Sequence, residues 1–208
     1  MAMKEMTNRP KLGQQCDFTQ RRMTKDEIME CPIRRYEGPV HVICSKDKLS
    51  SAVRRLKKEA ILGFDTETKP TYKKGGSHPP ALLQLASEND VFVFQLKHLR
   101  LPKSLLEILA NPNIIKAGVS LDYDISELTK LARFEPAGFV DLGKLAKEIG
   151  MKNHGLRGLA AVVLEFRIPK TARTSNWARN TLTPAQIKYA ATDAWVGREL
   201  YKKIQAWS

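Results

Sequence analysis

The chain has 208 residues, of which 42% are hydrophobic, so it can fill one sizeable core but is short for two large domains. Thirty-five Lys and Arg against 22 Asp and Glu give a formal net charge of +13, which favours a polyanionic partner. No apolar run approaches the roughly 18 residues of a membrane span, and no apolar stretch at the N-terminus suggests a signal peptide. We therefore expect an intracellular, cytoplasmic protein with no membrane contact.

The chain begins with a polar segment and continues into regular secondary-structure patterns. Residues 1–23 show no hydrophobic periodicity, so we expect a flexible N-terminal extension, and we assign residues 24–208 to a single domain. Thr24 and Glu27 have the spacing of a capping box and predict a short helix. The next predicted elements are a strand and a basic amphipathic helix, over 40–44 and 46–59.

Three apolar runs in the middle of the chain predict strands, over 61–67, 81–86 and 91–96. Only "SEND" separates the last two, which indicates a hairpin. The pattern then alternates: a strand is predicted over 113–120, and helices over 103–110, 122–134, 141–149 and 155–165.

The last predicted helix is the best defined. Thr183 is a suitable N-cap, Pro184 suits the first helical position, and Gln186 completes a capping box, so the helix is expected to run to about Gln205. A strand meander followed by alternating helices and strands predicts an α/β fold with a mixed β-sheet flanked by α-helices.

Two acidic residues lie at the end of the strand predicted over 61–67. Side chains two positions apart on a strand project from the same face, so Asp65 and Glu67 point together, whereas Thr66 points away. The two carboxylates repel each other unless a proton or a cation lies between them, and Mg²⁺ prefers oxygen ligands. Alone, such a pair more often marks a strand that ends in solvent than a metal site.

A second acidic pair follows the strand predicted over 113–120. Asp122 and Asp124 lie at the end of the strand where α/β sheets tend to build their sites. We expect Asp122 to cap the next helix. Asp124 either occupies the first turn, where the helix dipole favours an acid, or joins the first acidic pair.

The last helix carries an acid on an apolar face. Tyr189 and Asp193 are four residues apart and share a face that continues through Val196 and Leu200. Burying this aspartate costs free energy unless something neutralises it. A metal ion would do so, and hydrogen bonds or a nearby arginine are the alternative.

One fold could bring these three acidic clusters together around two divalent cations. Two cations roughly 3.5–4 Å apart activate a water and stabilise the leaving oxygen in phosphodiester cleavage. The basic surroundings would then hold the rest of a nucleic-acid backbone. The residues alone therefore predict a metal site that bridges to phosphate.

Three segments resemble the exonuclease motifs of the DEDDy group of 3′–5′ exonucleases. They are "FDTET" at 64–68, "KAGVSLDYD" at 116–124 and "YAATDA" at 189–194, and they occur in the order of that group. The likeness is strongest to the Werner-syndrome-type exonuclease domain and its stand-alone relatives, and it extends to "ALLQLA" at 81–86 and to the segment over 175–194. RNase D and the proofreading domains of DNA polymerases are more distant members. The resemblance implies a ribonuclease-H-like fold.

The resemblance also implies a cofactor, a reaction and roles for individual residues. The cofactor would be two divalent ions, Mg²⁺ or Mn²⁺, and the reaction would release nucleoside 5′-monophosphates from a 3′ end. Tyr189 would orient the attacking water, and Lys188, where the sister group has a His, supports the tyrosine type. The implied catalytic and metal-binding acids are Asp65, Glu67, Asp124 and Asp193.

Nucleic-acid-binding residues are expected on both sides of the acids. The loop over 68–80 is basic and contains glycine, so it would follow the phosphate backbone or press Tyr72 against a base, unless it is a solvated connector. The basic segment over 167–180 precedes the last helix and is predicted to face DNA. The residues assigned to nucleic-acid binding are Thr66, Thr68, Lys73, Lys74, Arg173 and Arg179.

DNA is favoured over RNA as the polymer that supplies the 3′ end. The chain ends shortly after the last helix, whereas RNase D usually carries further helical RNA-binding domains. An RNase D-like exoribonuclease and a non-catalytic nucleic-acid-binding module on the same fold are the alternatives. Any coupling to unwinding or repair would need a separate helicase or repair partner.

Overall fold

A computed structural model describes residues 22–71, 76 and 78–207. The strands, in chain order, are β1 Val40–Ile43, β2 Ile61–Thr68, β3 Pro80–Ala86, β4 Val91–Gln95, β5 Ile115–Gly118 and β6 Phe139–Asp141. The helices are α1 Lys25–Glu30, α2 Lys46–Leu56, α3 Leu96–Leu99, α4 Lys103–Leu109, α5 Leu121–Leu131, α6 Leu142–Glu148, α7 Leu156–Leu164 and α8 Pro184–Gln205.

The six strands form one mixed sheet in the order β1-β4-β3-β2-β5-β6. β2, β3 and β4 are antiparallel neighbours and form the predicted meander. β1 pairs parallel with β4, β5 parallel with β2, and β6 parallel with β5. The predicted α/β class with a mixed sheet is therefore confirmed.

Helices cover both faces of this sheet. On one face, α2, α4 and α5 bury a core that includes Leu62 and Phe64 of β2. On the other face, α6, α7 and α8 bury a second core. Residues of β2 alternate between the two cores, so Gly63, Asp65 and Glu67 share the face that α8 covers.

Helix α8 lies directly on the backbone of the sheet at two glycines. A Cβ atom added to Gly63 would lie 1.9 Å from the carbonyl oxygen of Ala194, and one added to Gly197 would lie 2.7 Å from that of Ala117. No side chain fits at either position without moving the backbone. This close approach places the middle turns of α8 against β2, where the first acidic pair lies.

Both predicted capping boxes form, but the cap predicted for Asp122 is wrong. Thr183 accepts a hydrogen bond from the backbone of Gln186 at the start of α8, and the N-terminal helix has the equivalent arrangement. α5 begins earlier than predicted, after Ser120, which has a φ of 62°. Asp122 therefore lies inside the first turn, is exposed, and pairs with Lys144.

Several predicted features fall at or outside the limits of the described ranges. Residues 1–21, most of the predicted extension, lie outside them. Met23 lies at the end of that segment. Its backbone carbonyl accepts a hydrogen bond from Asn153 Nδ2 at 3.1 Å, and its backbone N–H donates to Asn153 Oδ1 at 3.0 Å. Within the described ranges, no helix is long and apolar enough to cross a membrane.

Candidate active site

Three acids from two elements meet between the sheet and α8. Asp65 and Glu67 project from β2, and Asp193 projects from the helix that lies across it. Each offers a carboxylate oxygen, and these oxygens lie within 4.8 Å of one another. The two short spacings predicted from the sequence, two along a strand and four along a helix, therefore converge on one point.

Burial raises the pKa values of these carboxyls, and neighbouring acids raise those of Asp65 and Glu67 further. Burial, followed by the charges of Asp193 and Asp124, raises the pKa of Asp65 well above its ordinary value. Burial and the neighbouring acids raise the pKa of Glu67 to about 10, and burial raises that of Asp193 to about 7. All three can ionise together near neutral pH only beside a compensating positive charge.

One oxygen of this cluster has no partner. Asp193 is 8% exposed, and its Oδ1 atom is buried without a hydrogen bond to any described residue. An unpaired buried carboxylate oxygen costs free energy, which a cation would recover. Together with a donor set made only of carboxylates, this atom fits a hard divalent ion.

Tyr189 lies one helical turn before Asp193 and within hydrogen-bonding reach of it. Burial and the nearby acids raise the pKa of the Tyr189 hydroxyl far above its ordinary value. The phenol therefore keeps its proton at all physiological pH values. It can donate a hydrogen bond but cannot act as a base.

Asp124 lies beside the cluster rather than inside it. Its charge contributes to the raised pKa values of Asp65 and Glu67, but it does not belong to the group of three converging acids. Its Oδ1 atom accepts a hydrogen bond from Thr66 Oγ1 at 2.6 Å. Burial raises the pKa of Asp124, and this hydrogen bond opposes the rise.

The acids form one side of a cavity of about 480 Å³. The rest of its wall comes from the end of β5, the start of α7 and the segment between α7 and α8. The lining residues are Phe64, Asp65, Thr66, Glu67, Gly118, Val119, Ser120, Gly155, Leu156, Arg157, Gly158, Arg173, Tyr189 and Asp193. A cavity lined by both acids and arginines can bind a phosphate group and its counter-ions.

The residues assigned to nucleic-acid binding occupy different places. Thr66 and Arg173 line the cavity, and the charge of Arg173 lowers the pKa of Glu67. Thr68 follows an irregularity in the β2 register and Arg179 is exposed, and neither lines the cavity. The other two residues predicted to bind nucleic acid, Lys73 and Lys74, lie outside the described residues, as does Tyr72.

The start of α7 forms part of the cavity wall, which the sequence patterns did not predict. Residues 155–158 line it, and among them Arg157 is the one charged side chain of a helix that is otherwise apolar. A single charge in an apolar helix is expensive to bury unless a partner offsets it. That signal, together with the glycines on either side of "LR", was available in the sequence.

Lys116, inside the second motif, has a structural role. Its Nζ atom donates to the carbonyl oxygens of Ile108 and Asn111, at 3.1 and 2.7 Å, and lies 5.1 Å from the centre of the Phe139 ring. Burial lowers its pKa to about 8. The lysine therefore stabilises the end of α4 on the face of the sheet away from α8.

Comparison with known proteins agrees with this architecture. The family model described as 3′–5′ exonuclease matches residues 40–206, so the chain belongs to the 3′–5′ exonuclease family, a family of hydrolases. The matched range contains all four acids and Tyr189.

Individual relatives are also named as 3′–5′ exonucleases. The chain is 30% identical over 204 residues to the bifunctional 3′–5′ exonuclease/ATP-dependent helicase WRN of Mus musculus. The aligned region covers 92% of this chain and 15% of that protein. It is 36% identical over 149 residues to exonuclease 3′–5′ domain-containing protein 2 of Drosophila melanogaster, covering 69% of this chain and 25% of that protein. The chain thus spans a quarter or less of these two relatives.

Solved structures share the fold. The Nibbler EXO domain of Aedes aegypti superposes with a TM-score of 0.74 at 26% identity, covering 84% of this chain and 90% of that one. RNase D of Escherichia coli superposes with a TM-score of 0.73 at 20% identity, covering 81% and 44%. The predicted ribonuclease-H-like fold is confirmed by these exonuclease domains.

Proposed function

We propose that this protein is a metal-dependent 3′–5′ exonuclease that hydrolyses the terminal phosphodiester bond of DNA and releases nucleoside 5′-monophosphates. The observation that carries the proposal is the convergence of Asp65, Glu67 and Asp193 within 4.8 Å at the wall of a cavity that also holds arginines. Such a cluster is unfavourable for a protein that only binds nucleic acid, because it repels phosphate unless cations are present.

The donor set supports a site for two divalent ions, Mg²⁺ or Mn²⁺. Asp65, Glu67 and Asp193 would hold them, and Asp124 would complete the set as the fourth catalytic acid. When bound, such ions supply positive charge to the reacting phosphate and a more acidic water. The raised pKa values of the acids and the unpaired Asp193 oxygen are the features of this chain that fit such ions.

The other residues of the site would position the substrate and the water. Tyr189, which keeps its proton, would donate a hydrogen bond to the attacking water and fix its orientation. Arg173 would pair with phosphate beside Glu67. Thr66 would act through Asp124, whose carboxylate it holds.

The preference for DNA rests on sequence similarity. The relatives that match most of this chain include the mouse exonuclease/helicase and, at 28% identity over 163 residues, DNA polymerase I of Aquifex aeolicus. The RNase D structures are less than 25% identical and support the fold alone.

The test is degradation of a 5′-labelled DNA duplex with a recessed 3′ end beside an RNA strand of the same sequence, with Mg²⁺, Mn²⁺ or EDTA. We expect a metal-dependent ladder that shortens from the 3′ end faster on DNA than on RNA, and loss of the ladder in Asp65→Ala. A faster ladder on RNA would replace DNA with RNA as the substrate. Binding without a ladder on either polymer would identify a non-catalytic module.

A further inference from the structure

Arg157 stands at the cavity wall with no role in the proposed reaction. It lies in the first turn of α7, is half-buried, and lines the same cavity as Asp193 and Tyr189. Its Nη2 atom donates to the carbonyl oxygen of Ile168, which begins the segment that leads to Arg173. The guanidinium is therefore anchored by one of its donors, and among the described residues its other donors have no hydrogen-bond partner.

The charge of Arg157 is only partly compensated. The Arg157 charge lowers the pKa of Asp193. However, none of the described carboxylates lies within ion-pair distance of the Arg157 guanidinium. Burial lowers the pKa of Arg157 itself, and the positive charges of Arg173 and Arg167 act in the same direction. Arg157 and Arg173 line the same cavity and repel each other, and an anion bound between them would stabilise both.

The donors of the guanidinium and the charges around it indicate which anion would bind there. A guanidinium offers several N–H donors in a planar fork that matches two oxygens of a phosphate group. The acids occupy the wall beside Tyr189, and Arg173 lies near Glu67, so Arg157 is the cation near Asp193. A phosphodiester bound at the acids would therefore lie in a cavity that Arg157 also lines.

We propose that Arg157 donates to a non-bridging oxygen of the 3′-terminal phosphodiester group and so fixes the substrate's last linkage against the acids. This inference rests on the proposed exonuclease function and adds a substrate-binding residue to it. The alternative is that Arg157 only ties α7 to Ile168, a role that requires a hydrogen-bond donor but not a positive charge.

The test removes the positive charge of Arg157 and the negative charge of one DNA linkage, separately and together, and measures binding. A fluorescent single strand is prepared with normal linkages, with a neutral methylphosphonate at the last linkage, or with one at an internal linkage. Binding to wild type, Arg157→Gln and Arg157→Lys is measured by anisotropy with Ca²⁺ in place of Mg²⁺, and gels verify that the DNA stays intact. Glutamine keeps a donor for the Ile168 carbonyl but removes the charge.

Arg167→Gln is the matched control. Its guanidinium also donates to a backbone carbonyl, that of Cys31, at 3.0 Å, but Arg167 does not line the cavity. Thermal unfolding of every variant separates lost binding from lost folding. Both glutamine variants are expected to fold, because each retains an amide that can donate at the same place.

We expect Arg157→Gln to weaken binding of normal DNA about tenfold, and to flatten the slope of log Kd against log salt by about 0.7. On DNA with the terminal methylphosphonate, the same substitution should change affinity less than twofold, whereas the internal methylphosphonate should leave the tenfold effect intact. Arg157→Lys should recover most of the affinity, and Arg167→Gln should bind like wild type.

The inference is overturned if the Arg157→Gln effect is the same size on all three strands, or if the variant binds normal DNA like wild type. If wild type degrades 3′ ends and either result is found, only the role of Arg157 fails. If wild type neither degrades nor binds 3′ ends, the proposed function itself fails, and the inference fails with it.

Discussion

Thr66 donates from its hydroxyl to Asp124 across 2.6 Å, and this bond joins the strand that carries two acids to the helix that carries another. Thr66 is buried on the face of β2 opposite Asp65 and Glu67, so it does not project into the group of three. The contact fixes Asp124 at the edge of the cluster, where its charge still acts on Asp65.

Replacing Thr66 by valine tests the role of this bond. Valine keeps the volume but removes the donor, so a buried carboxylate loses its partner. We expect Thr66→Val to lower turnover about tenfold, as is usual for residues that orient metal ligands, and to lower stability by about 1 kcal/mol. Thr66→Ser, which keeps the hydroxyl, should retain activity within about threefold of wild type. Equal activity of the two variants would show that the bond does not matter for the reaction.

Asp122 and Asp124 offer a matched pair within one helical turn. Asp124 faces Thr66 and the acids, whereas Asp122 is exposed and pairs with Lys144 at 2.7 Å. Asp124→Asn should lower the rate at least a hundredfold, because it removes an acid of the proposed metal site. Asp122→Asn should leave the rate unchanged and alter stability by less than about 1 kcal/mol, since exposed ion pairs contribute little. Similar losses in both variants would contradict the assignment of Asp124.

Metal binding should depend on pH because the acids hold their protons strongly. The pKa of Asp193 is about 7 and that of Glu67 about 10, and a cation must displace these protons before it binds. The apparent affinity for Mn²⁺ should therefore rise from about pH 6 to about pH 9, with release of protons at neutral pH. Calorimetry in two buffers of different ionisation enthalpy measures both quantities. A pH-independent affinity without proton release would refute the raised pKa values of Asp193 and Glu67.

Burial of Asp193, which raises its pKa, should destabilise the metal-free protein. A carboxyl whose pKa is higher in the folded than in the unfolded state loses stability as pH rises, for Asp193 from about pH 4 to about pH 7. Asp193→Asn removes this loss, so in EDTA the variant should be more stable than wild type by about 4 kcal/mol at pH 8 and nearly equal to it at pH 4. Denaturant unfolding at the two pH values checks this, and a variant less stable at pH 8 would contradict it.

Short-range spacing predicted most of the site. Asp65 and Glu67 share a face because a strand repeats every two residues, and Tyr189 and Asp193 because a helix nearly repeats every four. The capping box of α8 is equally local, which is why its start was predicted at the right residue. Such features require no knowledge of the distant chain.

The features of the fold and of the site that were not predicted depend on packing between distant parts of the chain. Asp122 failed as a cap because the left-handed Ser120 starts the helix earlier, and Lys116 faces Phe139 rather than the acids. Arg157 reaches the cavity only because α7 packs beside α8. Strand β6, with three half-buried residues, is too short to give an alternating pattern.

If these acids support cleavage from the 3′ end, the first product released is a single nucleotide, and its chemical identity shows which bond is broken. A DNA strand labelled in its last nucleotide is incubated with wild type or Asp65→Asn, with EDTA and then with Mn²⁺, and the released label is identified by chromatography and mass. We predict a nucleoside 5′-monophosphate from wild type, absent in EDTA, restored by Mn²⁺ and missing in the variant. Release of a nucleoside 3′-monophosphate or of internal fragments, or an undiminished rate in Asp65→Asn, would contradict the account.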